Sequence, residues 1–311
     1  MKHLITGAGG FLGSHLIDAI RERFPQDSVV SLGLRTPAAG IAHTEADLLD
    51  SPRVQAAFLA EQPDRVYHLA GSARVTQDID FAHYYRSNFQ TTESVVAALR
   101  ALDKPVRVFF SSSVHVYGNQ QPPEAQAQES DEPRPSTDYG MSKYLCERAL
   151  EVLATERTQL KIVVGRLYSC IGPGQGPGFV TADLARKLAA LPADGSQPLQ
   201  TGPLDAVRRF LDVRDAARLI RDLLASGSDA GYEIVNIASP NEMTVQQIVE
   251  KLIACSGKQV AIESTPSGTN AFRGLRVSLN RLEERLPGFQ YSSLDSTLKD
   301  ILKEHECKTR I

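Results

Sequence analysis

The 311-residue sequence predicts a doubly wound α/β fold with a smaller, mixed C-terminal lobe. Three observations carry this. The first half alternates short apolar β-like runs with segments of helical periodicity, which demands a parallel sheet covered on both faces. Past the glycine- and proline-rich stretch 172–178 the alternation loses its regularity. A hydrophobic content of 42% over this length is enough to bury more than one core.

The elements follow in order. Lys2–Thr6 is a short apolar strand that runs into a glycine-rich turn, and Phe11–Arg23 has helical spacing. Strand 28–32, helix Ser51–Glu61 and strand 65–69 come next, then a long helix over 80–102 and a strand over 106–111. Helix 139–156 places Leu145, Ala149, Val152 and Leu153 on one face, and Leu160–Leu167 is strongly β-like. The Pro-, Gln- and Glu-rich stretch 118–138 predicts an exposed loop. Helices are expected at 182–191 and 245–254, with an isolated strand at Tyr232–Ile237. The implied division is a first unit of 1–168, to which 208–237 returns, and a second of 169–207 with 238–311.

A formal net charge of −3 with 23% charged residues gives no support to nucleic-acid or membrane-surface binding. No run approaches the ~20 apolar residues of a membrane span, and MKHLITGAGGFLG lacks the apolar core of a secretory signal. Cys146, Cys170, Cys255 and Cys307 form no CxxC pair, which fits a reducing cytoplasm and offers no zinc framework; no metal is expected.

Gly7, Gly10 and Gly13 form GxxGxxG between the first strand and the first helix, enclosing Phe11 and Leu12. Such a turn must be tight, must let backbone approach a pyrophosphate, and must let helix pack close to strand. The helix N-terminus then offers unpaired N–H groups to phosphate. A dinucleotide in a Rossmann-type turn is the expectation. The acidic residue that usually holds the ribose 2′-OH is missing: no Asp or Glu occurs from Ser28 to Thr44, and Arg35 stands at the strand end. Arg35 could pair with a 2′-phosphate, so NADP(H) is favoured and NAD remains an alternative.

The chemistry is expected where the strand over 106–111 ends in Ser111, Ser112 and Ser113, opposite Tyr139-Gly140-Met141-Ser142-Lys143. Tyr and Lys at i and i+4 share a helical face. An ammonium beside a phenol favours phenolate and lowers its pKa, and such a Tyr can exchange a proton while nicotinamide exchanges a hydride.

With these motifs in sequence, the chain resembles the extended short-chain dehydrogenases/reductases of the NAD-dependent sugar epimerase/dehydratase group. The resemblance rests on TGAGGFLGSHL (6–16), ADLLD (46–50), VYHLAG (66–71), SSSVHVYG (111–118), YGMSK (139–143), GRLYSCIGPGQ (165–175) and RRFLDVRDAA (208–217). It implies Ser113, Tyr139 and Lys143 as the catalytic set, Asp47 and Leu48 against the adenine, and Leu69, Ala70 and Ser111 along the cofactor. It also implies an Asn at position 88 of the long helix, and a nicotinamide and substrate lining that begins at Tyr168 and Ser169. His115, Phe179 and Val180 would face the sugar of a nucleotide-diphosphate sugar. Arg209, with Arg273 or Arg276, would meet its diphosphate. A homodimer through 80–102 and 139–156 is likewise implied.

Dehydratases of this group resemble a pattern with Glu two residues after the Ser/Thr, where this chain has His115, so dehydration is disfavoured. GPGQ (172–175) and GFVTAD (178–183) resemble the 4-keto-reductases acting on GDP-4-keto-6-deoxymannose, whose product is GDP-rhamnose. The alternatives are an NAD-dependent nucleotide-sugar 4-epimerase and a non-catalytic NADP-binding regulator. Ser169 replaces the Asn usual before the GP loop, which alters the expected sugar contact. His3 and His68 lie inside apolar strands and read as packing, and Asp212 and Asp215 read as caps of the following helix.

Overall fold

The computed structural model describes residues 1–37, 40–75, 78–119, 125–266 and 274–309. Seven parallel strands form one sheet: β1 (Lys2–Thr6), β2 (Ser28–Gly33), β3 (Ala42–Glu45), β4 (Arg65–His68), β5 (Val106–Ser113), β6 (Leu160–Leu167) and, last in the chain, β11 (Tyr232–Ile237). Their order is β11-β6-β5-β4-β1-β2-β3. The order reverses between β1 and β4, and ligands of such sheets bind beyond the strands' carboxyl ends at that switch.

Side chains alternate across a strand, so neighbours in sequence serve different cores. Ile5 and Phe109 pack on one face with Leu16 and Ile20 of α1 (Phe11–Arg23) and Leu219 and Ile220 of α7 (Val213–Ser226). Leu4 and Phe110 pack on the other with Val54 and Phe58 of α2 (Ser51–Glu61), Val95 and Leu99 of α4 (Thr91–Ala101), and Leu150 of α5 (Asp138–Glu156). All four residues of β4 are buried because helices cover both faces.

A third cluster lies in the C-terminal region. Leu184 and Leu188 of α6 (Val180–Ala190), Ile248 and Leu252 of α8 (Val245–Ser256), and Leu298 and Ile301 of the last helix (Leu294–Thr309) pack together. Three two-stranded pairs border it: β7 (Cys170–Ile171) with β10 (Leu211–Asp212), β8 (Leu199–Thr201) with β13 (Ile262–Ser264), and β9 (Val207–Arg208) with β12 (Met243–Thr244). Among the described residues, no helix is long and apolar enough to cross a membrane.

Several elements differ from the sequence expectation. The edge strand β3 escapes notice because AHTE has no apolar alternation and pairs only with β2. The helix expected over 80–102 is a short α3 (Phe81–Tyr84), a π-helical turn (Tyr85–Gln90) and then α4. The wider turn carries the buried Asn88, and a helical hydrophobic period cannot report it. The loop 118–138 is not uniformly exposed: Ala127 is buried and bridges to Val277, while Glu129 accepts from the Asn236 amide N–H. These polar backbone contacts leave no trace in composition.

Candidate active site

The glycine turn is as close-packed as its sequence demands. Gly7 adopts φ +74°, and a Cβ there would lie 2.7 Å from the Ala70 nitrogen. A Cβ on Gly13 would lie 2.2 Å from the Gly7 carbonyl oxygen. Gly10 is the N-cap of α1; no side chain caps this end and no acid sits in its first turn. The first N–H groups of α1 thus point outward for an anion. Phe11 and Leu12 are half-buried beside them, and His15 Nε2 donates to the Pro173 carbonyl (3.0 Å), tying this helix to the 172–178 loop.

Arg35 is exposed just past the end of β2, and a Cβ on Gly9 would touch its Cβ at 3.0 Å. Asp47 is exposed with Oδ1 accepting from the Leu49 N–H, and Leu48 is buried in the core. Leu69 and Ala70 line the other flank; the Leu69 N–H donates to the Thr6 carbonyl. These residues therefore gather around the carboxyl ends of β1, β2 and β4.

At the tip of β5, the Ser113 hydroxyl faces the Tyr139 phenol and favours its ionised form, while its oxygen accepts from the His115 N–H (3.3 Å). Tyr139 is held in the first turn of α5, whose N-cap Thr137 Oγ1 accepts from the Gly140 N–H (3.1 Å). Its ring lies edge-on to His115 (5.5 Å between centroids) and Tyr84 (5.7 Å). Lys143 is buried; Nζ donates to the Ser111 carbonyl (2.8 Å) and sits 5.0 Å from the Phe110 ring centroid. Asn88 fills the floor, donating to Ser142 Oγ (2.9 Å) and accepting from the Ser72 N–H (2.7 Å).

The electrostatics correct one expectation. Burial pushes the Tyr139 phenol up to about 12, with the Ser113 hydroxyl pulling it down. Lys143 Nζ donates to the Ser111 carbonyl, and burial outweighs the acidification expected of the phenol. Burial also pulls Lys143 below the usual lysine range, opposed by Cys146 and Glu147. His115 is held down to about 4 by burial and by the Arg208 charge, so its imidazole is neutral at pH 7. His68 is buried between Thr6 Oγ1 and Thr92 Oγ1 and pushed down to about 3, and His3 lies fully buried against Asp27 and Tyr67; both are core residues.

Tyr168 is buried, its hydroxyl accepting from the Leu275 N–H (3.1 Å), while Ser169 is exposed. Phe179 is the half-buried N-cap of α6 and Val180 is exposed. Arg209 is buried, donating to the Ser239 carbonyl (3.2 Å) and Glu242 Oε1 (3.0 Å). Arg276 is half-exposed and pairs with Glu242 Oε2 (3.1 Å). Arg273 lies outside the described residues. Asp212 does cap α7, accepting from the Arg214 N–H, whereas Asp215 binds Ser292 and Arg218 instead of capping.

Arg208 went unremarked in the sequence. Its charge acts on both His115 and Tyr168 and its Nη1 donates to the Val207 carbonyl (2.9 Å), while Arg209 donates to Ser239 and Glu242. Two adjacent arginines look alike in sequence, and nothing in the motif separates the one that ends β9 from the buried one after it.

A profile of the NAD dependent epimerase/dehydratase family matches residues 3–238. The chain is 29% identical to the GDP-6-deoxy-D-mannose reductase of Pseudomonas aeruginosa, over 98% of this chain and 97% of that one. It is 30% identical to the dTDP-6-deoxy-L-talose 4-dehydrogenase (NAD(P)(+)) of Kitasatospora kifunensis, over 85% of this chain and 81% of that one. Among solved structures, RMD from Pseudomonas aeruginosa complexed with NADPH superposes with a TM-score of 0.84 at 26% identity, covering 99% of each chain. Matched from β1 through β11, with its glycine turn and its Ser–Tyr–Lys cluster at the sheet's carboxyl edge, the chain belongs to the NAD dependent epimerase/dehydratase family.

Proposed function

We propose that this enzyme is a reductase that moves a hydride from NADPH to the C4 ketone of a nucleotide-linked 4-keto-6-deoxy sugar, of the type that converts GDP-4-keto-6-deoxymannose to GDP-rhamnose. The observation that carries the reading is the Tyr139–Ser113 hydroxyl pair, with a phenol that stays protonated at neutral pH. A ketone reduction needs a proton donor at that place, and a neutral phenol is one. The similarity to a GDP-sugar reductase over nearly the whole chain supports it, as does the NADPH held by the superposed neighbour.

NADPH, when bound, supplies the hydride. Tyr139 gives its proton to O4 as the C=O electrons collect there, Ser113 hydrogen-bonds the same oxygen, and solvent returns a proton to Tyr139. Lys143 stands one turn along α5 against the Ser111 carbonyl. The uncapped end of α1 receives the cofactor's pyrophosphate. Arg208 and Arg276 are the arginines we assign to the substrate diphosphate, and His115, as neutral imidazole, hydrogen-bonds the sugar. In this reading 1–168 with 208–237 holds the dinucleotide, and 169–207 with 238–311 holds the sugar. A homodimer through α4 and α5 belongs to the same proposal; Phe81, Met141 and Val152 lie exposed on or beside those helices.

Purified protein given GDP-4-keto-6-deoxymannose is expected to consume NADPH, read as loss of nicotinamide absorbance. Unchanged absorbance would overturn the reductase assignment. Interconversion of two sugars without net cofactor consumption would replace it with the epimerase.

Cofactor choice gives a second expected result. Arg35→Asp should lower kcat/KM for NADPH by about 10- to 100-fold, the worth of a charge-assisted phosphate contact, while improving NADH. A variant that kept its NADPH preference would remove Arg35 from the 2′-phosphate.

A further inference from the structure

Three successive serines at the tip of β5 are tied to three successive turns of α5. The Ser113 hydroxyl faces the Tyr139 phenol, the Ser111 carbonyl accepts from Lys143 Nζ (2.8 Å), and Ser112 Oγ donates to Glu147 Oε1 (2.5 Å). The residues at i, i+4 and i+8 of the helix thereby lace it to the strand. The third tie is the most deeply buried, with Glu147 2% and Arg166 1% exposed. Arg166 reaches up from β6 and grips both carboxylate oxygens, Nε to Oε1 at 3.1 Å and Nη2 to Oε2 at 2.8 Å. Its guanidinium also stacks 4.5 Å from the centre of the Tyr117 ring, at the end of the turn that carries His115.

A buried ion pair of this kind is weak as a stabiliser, since apolar residues of the same volume often serve as well. Its position is the informative fact: both ends of the pair touch segments that carry the reacting side chains. We propose that Glu147, clamped by Arg166 and Ser112, is a positioning residue that sets the height of α5 against β5, so that Tyr139 meets Ser113. This rests on the reading of Tyr139 and Lys143 as the reacting pair.

The charged and titratable surroundings agree. Lys143 is faced by Cys146 and Glu147 on its own helix and by His68 of β4, which burial keeps neutral. Glu147 is faced by Ser112 of β5, Arg166 of β6 and Tyr232 of β11, whose hydroxyl donates to the Glu147 carbonyl (3.2 Å). Glu147 is the carboxylate among the groups that favour the Lys143 ammonium.

The test compares Ser112→Ala, Glu147→Asp, Glu147→Gln and Glu147→Gln/Arg166→Met. Ser112→Ala leaves the ion pair in place and should lower kcat about tenfold with NADPH affinity and the pH profile unchanged. Glu147→Asp keeps the charge but not the reach and should behave the same way. Glu147→Gln keeps the reach but loses the charge that Arg166 grips, and should lower kcat at least as much, again with NADPH affinity unchanged. Arg166 left unpaired can unfold that variant; the double variant removes both charges, and should fold yet stay slow. Crystal structures of the folded variants should show the Tyr139 hydroxyl displaced from the Ser113 hydroxyl relative to the parent, a readout that needs no substrate. If the parent enzyme fails to use the proposed sugar, the function falls while this readout still decides the inference. Folded variants that keep the Tyr139 hydroxyl in its parent position, with kcat within about twofold of the parent, would overturn it.

Discussion

Tyr139→Phe is expected to leave a folded protein that binds NADPH like the parent and turns over about 10²- to 10⁴-fold more slowly, the usual worth of a positioned general acid. The ring is buried between His115 and Tyr84, and phenylalanine preserves both edge-on contacts. Only the hydroxyl is lost, and with it a polar contact with Ser113, a stability cost of about 1 kcal/mol. The Ser113 oxygen still accepts from the His115 N–H (3.3 Å). The two effects separate cleanly: thermal melting and NADPH titration should barely move, while kcat collapses. The pH dependence has a definite sign as well. With the phenol pushed up to about 12 by burial, activity limited by its proton should persist through neutral pH and fall only under strongly alkaline conditions. A variant that retained turnover would end the assignment of Tyr139 as proton donor, and an alkaline limb near neutrality would show that the phenol is far more acidic than its burial implies.

What the sequence discloses divides along physical lines. The glycine turn is legible because only glycine tolerates a positive φ at Gly7 and the approach of Gly13 to backbone, so steric need is written directly as residue type. Tyr139 and Lys143 are legible through helical spacing, and β1, β2, β4, β5 and β6 through apolar runs. Glu147 and Arg166 were passed over because a helical Glu ordinarily faces water. A signal existed: Glu147 continues the i, i+4 series from Tyr139 and Lys143, and Arg166 sits inside LKIVVGRL, where an arginine must find a buried partner. The acidity of Tyr139 could not be read at all. Helical spacing puts Lys143 beside the phenol but does not say that the ammonium turns to the Ser111 carbonyl instead. Burial then decides the sign.

Gly13→Ala should be the most damaging single methyl group in the molecule for cofactor binding. The added Cβ would lie 2.2 Å from the Gly7 carbonyl oxygen and 2.7 Å from the Ala8 Cα. Both are backbone atoms of the turn and cannot swing aside as a side-chain tip would. The first turn of α1 must therefore back away from β1, and the Gly10 N–H that donates to the same Gly7 carbonyl (3.0 Å) moves with it. Overpacking of this kind costs about 1–3 kcal/mol of stability. The larger consequence is for the anion site, because the outward N–H groups of α1 act on phosphate only while aimed at it. NADPH affinity, followed by nicotinamide fluorescence, should weaken by about 100-fold, the scale of two lost charge-assisted hydrogen bonds. Gly10→Ala supplies the control: its Cβ would approach only the Gly7 oxygen, at 3.1 Å, and its φ of −88° suits any residue, so the loss should be much smaller. Equal losses in the two variants would mean that helix approach does not govern this site. Parent-like affinity in Gly13→Ala would take the pyrophosphate away from the turn altogether.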